Sequence, residues 1–164
     1  MSTIKDVFSE IKQGAPVQVI VAKVDAVDKG ASTCDLVVEG RPDRPETRLR
    51  AVIDSSATGL IILPKIGSYV LAGMLNNKPE SSFICGFSDI DEVYINIPQS
   101  ELRIDKNGFL FKRGADNLAG LISDLLEAIM KLTVTTGTGP SGTPINIADF
   151  VELKQKFNQL LKTA

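Results

Sequence analysis

The spacing of apolar residues changes three times along the chain, and each change predicts a different kind of structure. Ile4, Val7, Phe8 and Ile11 recur at three and four, which predicts a short helix that Gly14 and Pro16 end. So short a helix is not stable alone. It must dock either on the chain's own core or on a neighbouring subunit. From Pro16 the period falls to two and β-branched residues dominate. Residues 17–27 predict a long strand with Val17, Val19 and Val21 on one face. Asp28, Lys29 and Gly30 form a turn, and 33–38 returns as the second strand of a hairpin. Residues 40–45 make a loop rich in proline and charge, followed by an alternating strand over 47–53. After a polar loop, Pro64 and Gly67 bracket a tight bend before a strand. Another turn at 76–80 precedes a strand over 82–87. Five short strands separated by turns predict a small closed or nearly closed barrel, because closure removes the unpaired edges of an open sheet. Val19, Val21, Leu36, Val52, Val70, Leu71, Ile84 and Cys85 are its expected core.

Beyond Phe87 come shorter strands at 93–97, 101–105 and 109–112, with Lys106-Asn107-Gly108 as a hairpin turn. They form a small meander on this subunit or pair between subunits. Asp116-Asn117 offers a helix cap. Leu118, Leu121, Ile122, Leu125, Leu126, Ile129 and Met130 follow at helical spacing, on a stripe broader than a coiled-coil seam. Residues 133–143 read as a flexible Gly/Thr/Ser/Pro linker. Asp149 opens a last helix carrying Phe150, Leu153, Phe157 and Leu160. Two such helices make a hairpin with little core of its own. Leu118, Leu121, Leu125 and Ile129 on one helix, with Phe150, Leu153, Phe157 and Leu160 on the other, are therefore the expected oligomerisation surface. The chain divides into an N-terminal helix or arm (1–15), a small barrel (16–90), a short β extension (91–115) and a C-terminal helical hairpin (116–164). Its fold class is mainly β with a helical tail.

Composition narrows the function. In 164 residues, 43% hydrophobic and 23% charged residues describe an ordinary globular chain. Eighteen basic and twenty acidic residues leave a net charge of -2, so the surplus positive charge that displaces counterions from nucleic acid is missing. Aromatics are 5% and Trp is absent, so stacking platforms for single strands are few. Phe83 and Phe87 sit in apolar runs that point to core. The first residues lack the basic region and apolar core of a signal peptide, and no stretch approaches the ~20 apolar residues of a membrane helix. Synthesis in a cytosol-like compartment and no stable membrane insertion are expected.

Chemistry is scarce. The chain has no histidine, which removes the usual general base and the commonest metal ligand. Cys34 and Cys85 are distant in sequence and read as buried free thiols. Gly137-Thr138-Gly139-Pro140 lacks the lysine of a phosphate loop. The acidic run Asp89, Asp91 and Glu92, and the charged stretch Asp43, Arg44 and Glu46, read as solvated loops. Arg41, Arg44, Arg48 and Arg50 form the one basic cluster, a solvated face or a contact for a phosphate or an acidic partner. No catalytic residue, metal site or cofactor is expected, and the chain reads as a non-enzyme.

Two stretches carry a resemblance. Residues 21–37, VAKVDAVDKGASTCDLV, resemble the opening hairpin of the OB-fold domain in phage baseplate spike and hub proteins, the baseplate assembly protein V-like family related to contractile injection system spikes. Residues 63–73, LPKIGSYVLAG, resemble the proline-glycine bend that leads into a strand of those domains. The Leu-rich helices and Gly-Pro-Ser-Gly segment are similar to C-terminal regions of prophage baseplate proteins. The resemblance implies that the barrel (16–90) is OB-fold-like. It also implies a structural component of a phage tail or injection apparatus, assembled in the bacterial host cytoplasm as a homo-oligomer, with a trimer favoured, beside other tail or baseplate proteins. The histidine-held iron tip of many such spikes has no residues here. An OB-fold module binding nucleic acid or oligosaccharide is the alternative.

Overall fold

The computed structural model of the chain describes residues 4, 19–51, 58–75 and 78–163. Val7, Phe8 and Ile11 of the expected N-terminal helix lie outside them, as do Val17, Val52 and Ile53. The described residues form two compact units. The first takes those up to 51 with Leu63–Ile90, and the second takes 58–62 and 91–163.

The first unit is a closed barrel. Its strands are β1 (Val19–Asp28), β2 (Thr33–Val37), β3 (Arg44–Arg48), β5 (Tyr69–Leu75) and β6 (Lys78–Phe87), while β4 (Gly59–Pro64) joins another sheet. The order around the barrel is β1-β2-β3-β6-β5, closing back on β1. Neighbours are antiparallel except β3 and β6, which run parallel. This is the Greek-key order of an OB-fold. Pro64 and Gly67 make the expected bend. Ser68 N–H donates to the Lys65 carbonyl at 3.0 Å, and Gly67 has φ 85°, which favours glycine.

Ile20, Ala22, Val24, Cys34, Leu36, Val38, Val70 and Ala72 fill the barrel, with Val27, Leu49, Ile84 and Phe87 packed against them. Leu36 and Val70 are core, as expected. Val19 and Val21 are not: Val21 is 61% exposed and the opposite face of β1 is buried. Both faces of residues 19–24 are largely apolar, so alternation alone does not orient the strand. Lys23, which shares a face with Val19 and Val21, is exposed with them. Leu71 and Cys85 also point outward. Neighbours along a strand face opposite ways, so Val70 in places Leu71 out. Cys85 is the extra residue of a bulge: Leu71 pairs with Gly86 and Ala72 with Ile84, leaving Cys85 between them. Its thiol donates to the Leu71 carbonyl at 3.4 Å. Phe83 is not core either. It pairs with Gly73, whose missing Cβ would sit 2.6 Å from the ring, so the ring covers that glycine.

A second bulge corrects the reading of residues 43–46 as a solvated loop. Cys34 pairs with Thr47 and Leu36 with Arg44, so Pro45 and Glu46 together oppose Asp35. Glu46 has φ 50°, and its N–H donates to Asp35 Oδ1 at 2.9 Å. Proline is tolerated there because a bulge needs no ladder donor from it. Strand β3 thus begins earlier than expected, and Arg44 is buried.

The second unit has a sheet of order β10-β9-β8-β7-β4. Its further strands are β7 (Ile90–Ile97), β8 (Ser100–Asp105), β9 (Gly108–Arg113) and β10 (Asp116–Asn117). The acidic run therefore enters a strand, and Glu92 is buried rather than in a solvated loop. Helix α1 (Leu118–Met130) and helix α2 (Ile147–Leu160) complete the expected C-terminal hairpin. Residues 133–143 are not a structureless linker. Strands β11 (Thr135–Thr136) and β12 (Gly139–Pro140) pair about Gly137 and Thr138. Thr136 Oγ1 donates to the Gly139 carbonyl at 2.6 Å, and Ser141 Oγ accepts from Val134 N–H at 3.0 Å. The hydroxyls that made the segment look like a linker tie its backbone together.

Candidate functional site

The second unit is built on a meander whose apolar residues share one face. Cross-strand pairing aligns Val93, Ile104 and Phe109 in one row and Ile95, Leu102 and Phe111 in the next. Paired residues project to the same side of a sheet, so the two rows make a continuous apolar surface. Phe109 and Phe111 stack with ring centroids 6.4 Å apart. The other face is mixed, with Tyr94, Arg103 and the buried Leu110 in one row and Asn96, Glu101 and Lys112 in the next. There Arg103 lies over the Tyr94 ring, 5.1 Å from its centroid. Its guanidinium also meets Glu101 at 2.9 Å and Glu92 at 3.3 Å. This network accounts for the burial of Glu92.

The chain passes from the meander into α1 without a loop. Asp116 and Asn117 pair with Arg113 and Lys112, and the Asn117 side chain then accepts from Gly120 N–H at 2.8 Å. That is the expected cap. Helix α2 packs on α1, where Lys154 pairs with Glu127. Its end returns to the meander: Leu161 bridges to Phe109, and Lys162 N–H donates to the Phe109 carbonyl at 3.0 Å. The Lys162 ammonium pairs with Asp105. A Cβ on Gly108 would sit 2.4 Å from the Leu160 carbonyl, so this close approach requires glycine. Lys162 holds the Asp105 carboxyl below the ordinary carboxylate range, helped by the Asn107 N–H.

The eight residues expected at an assembly surface divide into two groups. Ile129, Phe150 and Phe157 are half-buried, whereas Leu118, Leu121, Leu125, Leu153 and Leu160 are exposed, Leu125 at 59%. The only buried residues of α1 are Ala119 and Leu126, and α2 has none. Leu118 and Leu121 border a groove of about 400 Å³ whose other apolar walls are Ile95, Ile97, Leu102 and Phe111. The apolar surface therefore runs from the meander onto α1. Sequence reasoning placed it on the helices alone. The alternation of Ile95 and Ile97, and of Phe109 and Phe111, was the available signal for the strand half.

The barrel has its own exposed apolar positions: Val19, Val21, Tyr69 and Leu71 lie on the outer side of β1 and β5. The expected basic cluster is not one solvated face. Arg41 is exposed, Arg44 is buried, and Arg48 and Arg50 are half-buried. Among the described residues no group of His, Cys, Asp or Glu is placed to hold a metal, and no helix is long and apolar enough to cross a membrane. Cys34 lies in the core, where burial, with the Asp35 charge adding to it, pushes its thiol up to about 12. It is a packing residue. No family model, curated protein or solved structure matches the chain.

Proposed function

We propose that this chain is a self-assembling structural component of a phage-type tail baseplate or related injection apparatus, serving as spike, hub or adaptor and associating as a homotrimer. The observation that carries the reading is how little the second unit buries. Leu110, Ala119, Leu126 and Leu161 are its buried hydrophobics beyond β4, while Ile97, Phe111, Leu118, Leu121, Leu125, Leu153 and Leu160 stay exposed. Each such side chain is worth roughly 1.5–3 kcal/mol when removed from water. Ile97, Phe111, Leu118 and Leu121 line one groove and form a contiguous apolar surface, which marks an interaction site. Sister copies around a rotation axis bury it with one repeated contact. The resemblance of residues 21–37 and 63–73 to baseplate OB-fold domains, on a barrel of OB-fold order, supplies the biological setting.

Sedimentation equilibrium tests the reading. The expected mass is three times the 17.6 kDa of one chain at low micromolar concentration. A monomer at that concentration overturns self-assembly. A monomer that shifts on single-stranded DNA would favour the nucleic-acid reading of the barrel instead.

A further inference from the structure

A cavity of about 630 Å³ lies beside the first unit's barrel seam, between the β2–β3 loop and the start of β6. Arg41, Arg44, Arg48, Asp43, Glu46 and Glu80 supply its charged lining. Arg44 is the unusual member. It is 6% exposed, and its Nε and Nη1 are buried without a hydrogen-bond partner among the described residues. Among the described residues no ion pair joins it to the three carboxylates of the same lining. Its backbone is fixed opposite Leu36, and its carbonyl accepts from the Thr47 hydroxyl at 3.2 Å. The residue is therefore anchored in place. Arginine does not shed its proton in a protein, so the guanidinium stays charged. An unpaired buried charge is strongly destabilising, and its remedy is a counter-anion.

The lining limits what that anion is. Three guanidiniums and three carboxylates cancel, so a polyanion such as nucleic acid meets as much repulsion as attraction. A small anion of single charge needs only one guanidinium at close range, and Arg44 is the one whose Nε and Nη1 lack a hydrogen-bond partner. A planar carboxylate also matches the guanidinium, which binds it through directed, charge-assisted hydrogen bonds. We propose that Arg44 is the centre of a carboxylate-binding site, filled by a free carboxylate or by an acidic side chain of a second copy of this chain.

Thermal melting of the full chain in sodium acetate, against sodium chloride of equal ionic strength, tests the free source. A rise of about 3 °C in acetate, absent in Arg44→Met, supports the site and a free carboxylate. Arg44→Lys keeps the charge without the planar fork and should keep a smaller shift. It also serves if the methionine variant fails to fold. Sedimentation tests the second source. If acetate gives no shift but Arg44→Met, folded by circular dichroism, associates at least tenfold more weakly than the wild type and Arg41→Met does not, a side chain of another copy fills the site. That arm rests on the proposed self-assembly, whereas the acetate arm does not. An acetate shift of equal size in wild type and Arg44→Met overturns the proposal. So does the absence of both effects, whether or not the chain proves to assemble.

Discussion

Thr47 and Ser82 share a hydrogen bond of 2.7 Å between their hydroxyls, at the seam where β3 and β6 close the barrel. Thr47 is 0% exposed. Its hydroxyl also donates to the Arg44 carbonyl at 3.2 Å, so Ser82 is left to donate to Thr47. One proton arrangement satisfies both bonds. The pair sits beside the Arg48–Phe83 pairing of the two parallel strands. Thr47→Val should cost about 1–3 kcal/mol in urea unfolding, because Ser82 and the carbonyl lose a buried partner. Thr47→Val with Ser82→Ala should cost less than the sum of the single changes. Strict additivity would show that the hydroxyls act independently.

The bulge in β6 predicts a difference between the two thiols. Cys85 is exposed, whereas Cys34 is buried and its thiol is pushed up to about 12. Iodoacetamide at pH 8 should label Cys85 in the native chain, and Cys34 only after denaturation. Peptide mass spectrometry reads the outcome. Equal labelling of both would mean that the barrel opens on the timescale of the reaction.

Asp105 and Lys162 predict a pH dependence for the end of α2. The Asp105 carboxyl is held below its ordinary value in the folded chain, chiefly by Lys162. A depressed carboxyl contributes stability that is full above its unfolded value of about 4 and is lost as pH falls through the lower folded value. Amide exchange at Lys162, whose N–H bonds Phe109, should speed up over that acid window after correction for intrinsic rates. In Asp105→Asn the exchange should be fast already at pH 7, with no acid step left.

Leu121 and Leu125 test the assembly surface without a deletion. Both are exposed in the single chain, at 53% and 59%, so glutamate there should leave helix content unchanged. In an assembled trimer it removes two buried side chains worth roughly 3–6 kcal/mol together. Association should weaken by a factor of about 10² to 10⁴. Unchanged mass at low micromolar concentration in the double variant would move the interface elsewhere.

The sequence by itself determined the kind of the five barrel strands, the three meander strands and the two C-terminal helices, but not strands β4, β10, β11 and β12. Period two broken by Gly and Pro turns marked the strands, period 3.6 marked both C-terminal helices, and the Asn117 cap and the Gly67 bend lie where local chemistry put them. These are short-range decisions, made by backbone dihedrals and neighbouring side chains. The absence of histidine likewise limits the chemistry without any structure.

Only the tertiary structure decided which side of each strand faces inward. Val19 and Ile20 are equally apolar, and it is pairing with β5 and closure of the barrel that put Ile20 inside. The bulges at Cys85 and at Pro45-Glu46 reverse the alternation midway, and each depends on the register of a strand distant in sequence. The same holds for Arg44. As a residue in a charged run it looked solvated, and it is the cross-strand partner Leu36 that carries it into the barrel wall. The meander adds the converse case: Ile95, Leu102 and Phe111 align on one face through pairing, and so extend an apolar surface that the helices alone had announced. Alternation fixes the period of a strand, but its phase is set by contacts that close only when the sheet does.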